Sequence, residues 1–293
     1  MKSLVQLFLF FCIGCVSLNA AEQKLNGRLY NDQTNRNKWT PQYAPGPPNV
    51  IPINPPLPDP PKGKKWVPTF IDEFDGTKID TKKWQILGDQ KRKYGYWIKK
   101  HSTLDGKGNL VLKVDHHLNQ AGKEEFHASG LQTRGKFEQA FGYYVCRYQM
   151  LRDNGTGYHC AFWLQSDGQG SVADKGRDGT EVDIIEKFHH DDIIQHCLHW
   201  DGYGPEHERA KFSFPWPGIM DGFHTFAMKW TPEEYIFYVD GVETWRTKEG
   251  GVSQVPAFLR FTIEFSQGWN GDIHKAKLPD EFVVDYVRVY QAQ

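Results

Sequence analysis

Cysteine is scarce in this chain. Of its five, Cys12 and Cys15 fall within the first twenty residues, leaving Cys146, Cys160 and Cys197. Three is an odd number, and none of these has zinc-ligand spacing, so neither a disulfide framework nor a cysteine zinc site carries the stability. Buried free thiols fit best, with a single Cys146–Cys160 bridge as the alternative. An excess of one charge is lacking as well: 35 Lys and Arg stand against 36 Asp and Glu, a formal net charge of −1. Phosphate backbones need a concentrated basic face, so no nucleic-acid partner is expected. No apolar run reaches the ~20 residues of a membrane-crossing helix. No segment sustains a 3.6-residue period between caps, and no internal repeat is visible.

Aromatic side chains, by contrast, are abundant at 14% of residues, with 10 Trp, 13 Tyr and 19 Phe. That much flat apolar surface exceeds what a core needs and points to a ligand with flat faces of its own. Residues 1–20 have the pattern of an export signal. Lys2 opens it, Leu7 to Val16 form its apolar run, and Ala20-Ala21 offer the cleavage point. Ile13-Gly14-Cys15 also has some of the look of a lipoprotein box, which makes Cys15 a candidate lipid anchor. Either way the product is expected outside the cytoplasm: secreted, periplasmic or on the cell surface. Between Pro41 and Pro68 lie eleven of the 17 prolines. Proline cannot donate to a ladder and favours an extended chain, so residues 21–65 read as a polar, Pro-rich disordered linker and 66–293 as one folded domain.

Within that domain the patterns are short, aromatic and of period two. Leu110 to Asp115, Phe141 to Met150, Phe223 to Trp230 and Phe282 to Tyr290 each read as strands. Tyr235 to Val239 leads through Asp240-Gly241 into Val242 to Arg246, a hairpin signal. Many strands at short spacing predict an all-β sandwich of two antiparallel sheets, one with an outer face free to hold an extended ligand.

The chemistry is concentrated in Glu181-Val182-Asp183-Ile184-Ile185-Glu186. In a plain strand Glu181 and Asp183 share a face and Glu186 has the wrong parity. Bringing all three to one side requires a β-bulge near Ile184-Ile185, a device common beside active sites. Clustered carboxylates repel and raise at least one pKa, which suits glycoside hydrolysis, where one carboxylate is ionised and its partner protonated. Acids on one strand lie close together, as in retaining rather than inverting enzymes. The competing readings are a solvated face and a calcium loop, and the interleaved Val182, Ile184 and Ile185 exclude an EF-hand-like loop.

These segments together resemble glycoside hydrolase family 16. Phe70 to Gly76 resembles its opening strand; Gly135-Lys136-Phe137, Gly142-Tyr143-Tyr144 and Arg147 its central strands; Ala161-Phe162-Trp163-Leu164 the run before the acids; Val284 to Tyr290 its closing strand. The six-residue acid block matches the bulged form of the family signature. The resemblance implies a concanavalin-like β-jelly roll with a sugar cleft on its concave sheet and retention of configuration. By motif position Glu181 resembles the nucleophile, Asp183 the assisting acid and Glu186 the general acid/base. No organic cofactor or catalytic metal is implied. The opening and closing strands imply Glu73 and Asp285 as holders of a structural calcium, surface ion pairing being the alternative.

Around the acids, Trp163 is a candidate for stacking on a sugar ring, against core packing. His199 falls on the next strand, Ile193 to Trp200, and is a candidate for contact with Glu186 or substrate. Trp269 sits where the resemblance puts a loop at the cleft end. Arg134 is a candidate for a sugar hydroxyl or sulfate. The expected partner is a polysaccharide and the expected state a monomer. A β-1,3- or mixed-linked glucan is the first choice of substrate. The stretch before the acids, Lys175 to Thr180, lacks the Trp-Pro common in glucan hydrolases of the family, and Lys175, Arg177, Lys187, His189 and His190 cluster nearby. A marine galactan (agar, porphyran, κ-carrageenan) is therefore the alternative. A non-catalytic carbohydrate-binding jelly roll and a structural surface protein are the readings from other classes.

Overall fold

The computed structural model describes residues 24–25, 28–29, 46–188, 191–266, 268 and 270–293. The export segment with Cys15, His189, His190 and Trp269 lie outside the described residues.

Two antiparallel sheets stack face to face. The first runs, in spatial order, Glu208–Pro215, Ile193–Trp200, Glu181–Glu186, Tyr158–Gln165, Phe258–Phe265, Gly130–Gln132 and Gln85–Leu87. The second runs Val242–Thr247, Tyr235–Val239, Phe223–Trp230, Gly142–Gln149, Asp280–Ala292, Leu110–Leu118, Glu124–Ala128, Gly95–Trp97 and Gln90–Arg92. Trp66–Asp72 and Ser102–Leu104 add to its ladders, and Gly95–Trp97 pairs with Glu124–Ala128 in parallel. The Asp240-Gly241 hairpin forms as its sequence predicts.

Alternation explains the layering. In Phe258–Phe265, Leu259, Phe261, Ile263 and Phe265 enter the core, while Arg260, Thr262 and Glu264 take the opposite face. Phe162 stacks on Phe261 at 4.8 Å, and Phe261 reaches Phe282 of the second sheet at 6.1 Å. Each ring so buried is worth roughly 1.5–3 kcal/mol. Trp84, Trp216, Trp230 and Trp245 are also fully buried, so much of the aromatic surplus fills this interior rather than a ligand site. Cys146, Cys160 and Cys197 are free and buried; the Cys146–Cys160 bridge does not form.

The linker expectation needs correction over its second half. The Pro-rich segment lies along the outer face of the second sheet. Tyr286 Oη donates to the Ile53 carbonyl at 2.9 Å, Trp66 Nε1 to that of Pro58 at 2.6 Å and Lys229 Nζ to that of Asp59 at 2.7 Å. Beneath it Tyr143, Val145, Ala227 and Tyr286 form a second apolar cluster, flanked by Trp66, Tyr238 and Tyr290. Proline suits such a strap: it has no N–H to leave unsatisfied, and its neighbours' carbonyls accept from the sheet's side chains.

Candidate active site

The acid strand is bulged. Trp163 lies opposite Asp183, yet the preceding Phe162 lies opposite Ile185. On the other edge Cys197 faces Asp183 and Gln195 faces Glu186. On both sides one extra residue is accommodated at Ile184-Ile185, and both isoleucines are wholly buried in the core. Glu181, Asp183 and Glu186 therefore emerge together on the open face of the first sheet, while Val182, Ile184 and Ile185 pack inward. A bulge frees backbone groups from the ladder. Here the Ile184 carbonyl accepts from Nδ1 of His196, 2.5 Å away, and Nε2 of His196 meets Thr244 Oγ1 at 2.8 Å. His196 stacks between core aromatics, and burial pushes its pKa down to about 3, so the ring stays neutral.

Each acid has its own partners. Tyr203 Oη donates to Glu181 Oε1, and Gln165 Nε2 lies 3.3 Å from Oε2. Gln195 Nε2 is 3.4 Å from Glu186 Oε2, and His159 Nε2 is 3.6 Å from Oε1. Asp183 is 3% exposed, and its Oδ2, 3.6 Å from His199 Nε2, carries no hydrogen bond. Burial, then the charges of Glu186 and Glu181, hold the Asp183 carboxyl well above the usual carboxylate range. Burial also raises Glu181, to about 7, with Glu186 adding to the rise and the Tyr203 hydroxyl and Arg260 opposing it. The charge of each opposes ionisation of the other, so Glu181 and Asp183 titrate together.

Trp163 turns its ring to the open face, under the Arg260 guanidinium at 4.0 Å, and its Nε1 donates to Thr262 Oγ1 at 3.0 Å. His199 lies opposite Glu181 in register and meets Asp183 rather than Glu186. Burial, with His207 and Arg209 adding, drives its pKa down to about 3. The histidine beside Glu186 is His159, one strand to the other side. Arg134 is paired with Asp167 at 2.6 Å and lies over Phe258, the strand neighbour of Gln165. Lys187 is no part of a basic rim: it is completely buried, with Nζ 2.9 Å from Asp191 Oδ1.

Glu73 and Asp285 do not fit a shared calcium. Glu73 is held by Arg288 through two bonds of 2.6 and 2.8 Å, and Asp285 by Arg147 at 2.5 Å. A calcium ion would have to displace a guanidinium from each carboxylate.

Sequence reasoning missed His159, His196, Tyr203, Arg260 and Glu264. Glu264, 5% exposed, is clamped by Arg92 through bonds of 2.8 and 2.9 Å. A signal for Arg260 and Glu264 existed in the strict alternation of Leu259 to Phe265. Tyr203 lies in a loop and carried no such signal.

Two glutamates and an aspartate on the open face of an antiparallel sandwich, beside a tryptophan lying on that face, define a jelly-roll protein of the carbohydrate-active class. The chain belongs to the glycosyl hydrolases family 16, whose model matches residues 90–288. It is 26% identical over 233 residues to a keratan-sulfate endo-1,4-beta-galactosidase of Sphingobacterium multivorum, covering 76% of this chain and 54% of that protein. It is likewise 26% identical over 252 residues to a beta-glucanase of Rhodothermus marinus, covering 78% of this chain and 87% of that one. The chain thus spans about half the length of the first relative and most of the second. The catalytic domain of an endo-1,3-beta-glucanase (laminarinase) from Thermotoga petrophila superposes with a TM-score of 0.64 at 24% identity, over 78% of this chain and 98% of that domain.

Proposed function

We propose that this domain is an exported endo-glycosidase that cleaves a β-linked polysaccharide by double displacement with retention. The observation that carries the reading is the bulge, which brings Glu186 to the same face as Glu181 and Asp183. Glu186 protonates the leaving glycosidic oxygen while ionised Glu181 attacks the anomeric carbon. Water deprotonated by the now ionised Glu186 then breaks the glycosyl–Glu181 bond and restores both groups. Burial favours the protonated form of Asp183, which lessens charge repulsion on the ionised Glu181. Trp163, 6% exposed and covered by the Arg260 guanidinium, braces this face, and Arg134 and His199 line it.

A β-1,3- or mixed-linked glucan is the first substrate, in keeping with the beta-glucanase relative and the laminarinase fold match. A sulfated galactan is the second reading. It is favoured by Arg209 and Lys211, which stand opposite His199 and Cys197 on the same face of the first sheet, and by the keratan-sulfate galactosidase and a porphyranase of Zobellia galactanivorans, 25% identical over 228 residues. Reducing-sugar release from laminarin, lichenan, agarose, porphyran, κ-carrageenan and keratan sulfate separates them. Glu181→Gln and Glu186→Gln each reduce turnover on the cleaved polymer by on the order of 10⁴-fold. Tight binding of a glycan by the wild type with no cleavage of any polymer identifies a binding module instead. Mass spectrometry of the mature N-terminus tests export and lipidation at Cys15.

A further inference from the structure

Toward the Gln90–Arg92 end of the second sheet, three histidines and an aspartate converge in a place the hydrolytic reading does not use. Asp115 and His117 lie on Leu110–Leu118, His127 on Glu124–Ala128 directly opposite Asp115, and His101 ends the short 3-10 turn Lys99–His101. Each residue brings one ring nitrogen or carboxylate oxygen to within 4.8 Å of those of the others. The ring centroids of His117 and His127 are 4.6 Å apart, and those of His101 lie 6.2 and 6.0 Å from them.

The hydrogen-bond accounting sets this cluster apart. His101 Nδ1, His127 Nδ1, His117 Nε2 and Asp115 Oδ1 are all buried and all without a hydrogen bond. His117 Nε2 and Asp115 Oδ1 are only 2.8 Å apart, yet they do not meet with hydrogen-bonding geometry. His101 is 5% exposed, so water does not readily serve it. An unmet buried polar group is costly, and a fold rarely leaves four of them in one cluster. One charge partner is already in place: Lys113 Nζ sits 2.7 Å from Asp115 Oδ2, which also lies 3.6 Å from His101 Nε2, while Oδ1 faces His117.

We propose that His101, Asp115, His117 and His127 form a binding site for a zinc-type divalent ion. Imidazole nitrogens with one carboxylate oxygen suit zinc rather than calcium or magnesium, which take oxygen shells. Tetrahedral bonds of ~2.0–2.1 Å place ligand atoms roughly 3.3 Å apart, so atoms now within 4.8 Å of one another close in when the ion binds. The ion ties the Lys99–His101 turn to the hairpin of Leu110–Leu118 and Glu124–Ala128, beside Gly95–Trp97, where Tyr96 packs edge-on against His127. Gly95–Trp97 pairs in turn with Gln90–Arg92, whose Arg92 clamps Glu264 on the open face. The site is thus a staple at the root of a hairpin that reaches Glu264 on the open face.

The test uses the untagged chain, stripped with chelator and titrated with Zn²⁺ and then Co²⁺. Wild type binds one equivalent that His117→Gln loses or holds at least roughly 100-fold more weakly, and Co²⁺ gives the visible absorption of a tetrahedral site. The ring of His117 is 41% exposed, so this substitution disturbs little packing. In excess chelator the variant and the wild type melt together, and added Zn²⁺ raises only the wild-type melting temperature. X-ray absorption of the wild-type zinc form shows three imidazoles and one oxygen at about 2.0–2.1 Å. Equal zinc binding by both proteins, no binding by the wild type, or a shell containing thiolate sulfur (the signature of Asp183, Cys197 and His199 instead) overturns the proposal. None of these readouts depends on sugar cleavage.

Discussion

Glu181 shows how much of this site is decided at a single side chain. Burial raises its pKa from the ordinary 4.5 to about 7. Between those values the folded chain keeps a proton that the unfolded chain has already released. The penalty is therefore absent below the unfolded pKa and grows as pH rises toward 7. Its size is on the order of 3 kcal/mol, shared with Asp183 and Glu186. Glu181→Gln keeps the shape and cannot ionise, so it should melt higher than the wild type. The gap should be small at pH 4.5 and widen up to pH 8, as thermal melts across that range would show; a gap independent of pH would contradict the assignment. The same titration gives kcat/KM an acid limb that turns over near pH 7, since only ionised Glu181 attacks. The acids themselves were legible from residue types and parity. The partners that tune them, Tyr203 and His159, were not, because nothing local in the chain says which loop or strand will lie beside an acid.

One scale up, the Glu181–Glu186 strand works as a unit with the residue beneath it. Parity required an irregularity at Ile184-Ile185, and the register shift lies there on both edges. What parity did not disclose is how the displaced carbonyl is satisfied. His196, one residue from Cys197 on the adjacent strand, points into the core and bonds it from behind. His196→Leu fills the space with a hydrocarbon and leaves the Ile184 carbonyl unpaired. That should cost about 1–3 kcal/mol in urea unfolding. It should also lower kcat far more than it changes KM, because Glu186 is no longer held in place. A variant with full kcat and wild-type stability would show that the bulge stands without this support.

At the scale of the whole molecule, the core lies between the two sheets, the Pro-rich strap covers part of the second sheet's outer face, and the acids stand on the outer face of the first sheet. Deleting residues 46–61 removes the strap's bonds to Tyr286, Trp66 and Lys229 and bares Tyr143 and Tyr286. The expected loss is roughly 2–4 kcal/mol in denaturant unfolding, with faster hydrogen exchange along Gly142–Gln149. Unchanged stability would return the segment to the role of a plain tether. Proline content correctly announced a stretch without ladder bonds, but the same content describes a free linker and a docked strap equally well. The difference lies in the tyrosines it covers, Tyr143 and Tyr286, the latter 233 residues beyond Ile53.

The amino-acid sequence by itself determined the all-β class, the hairpin at Asp240-Gly241, the acid trio and the need for a bulge. All of these follow from interactions between near neighbours: alternation, turn chemistry and parity. Tertiary structure alone decided that Arg92 would clamp Glu264 across 172 residues, that His199 would serve Asp183 while His159 serves Glu186, and that Lys187 would be buried. Those contacts depend on the order in which strands distant in the chain lie side by side, and that order is set by how the whole set of apolar faces is buried together rather than by any one segment.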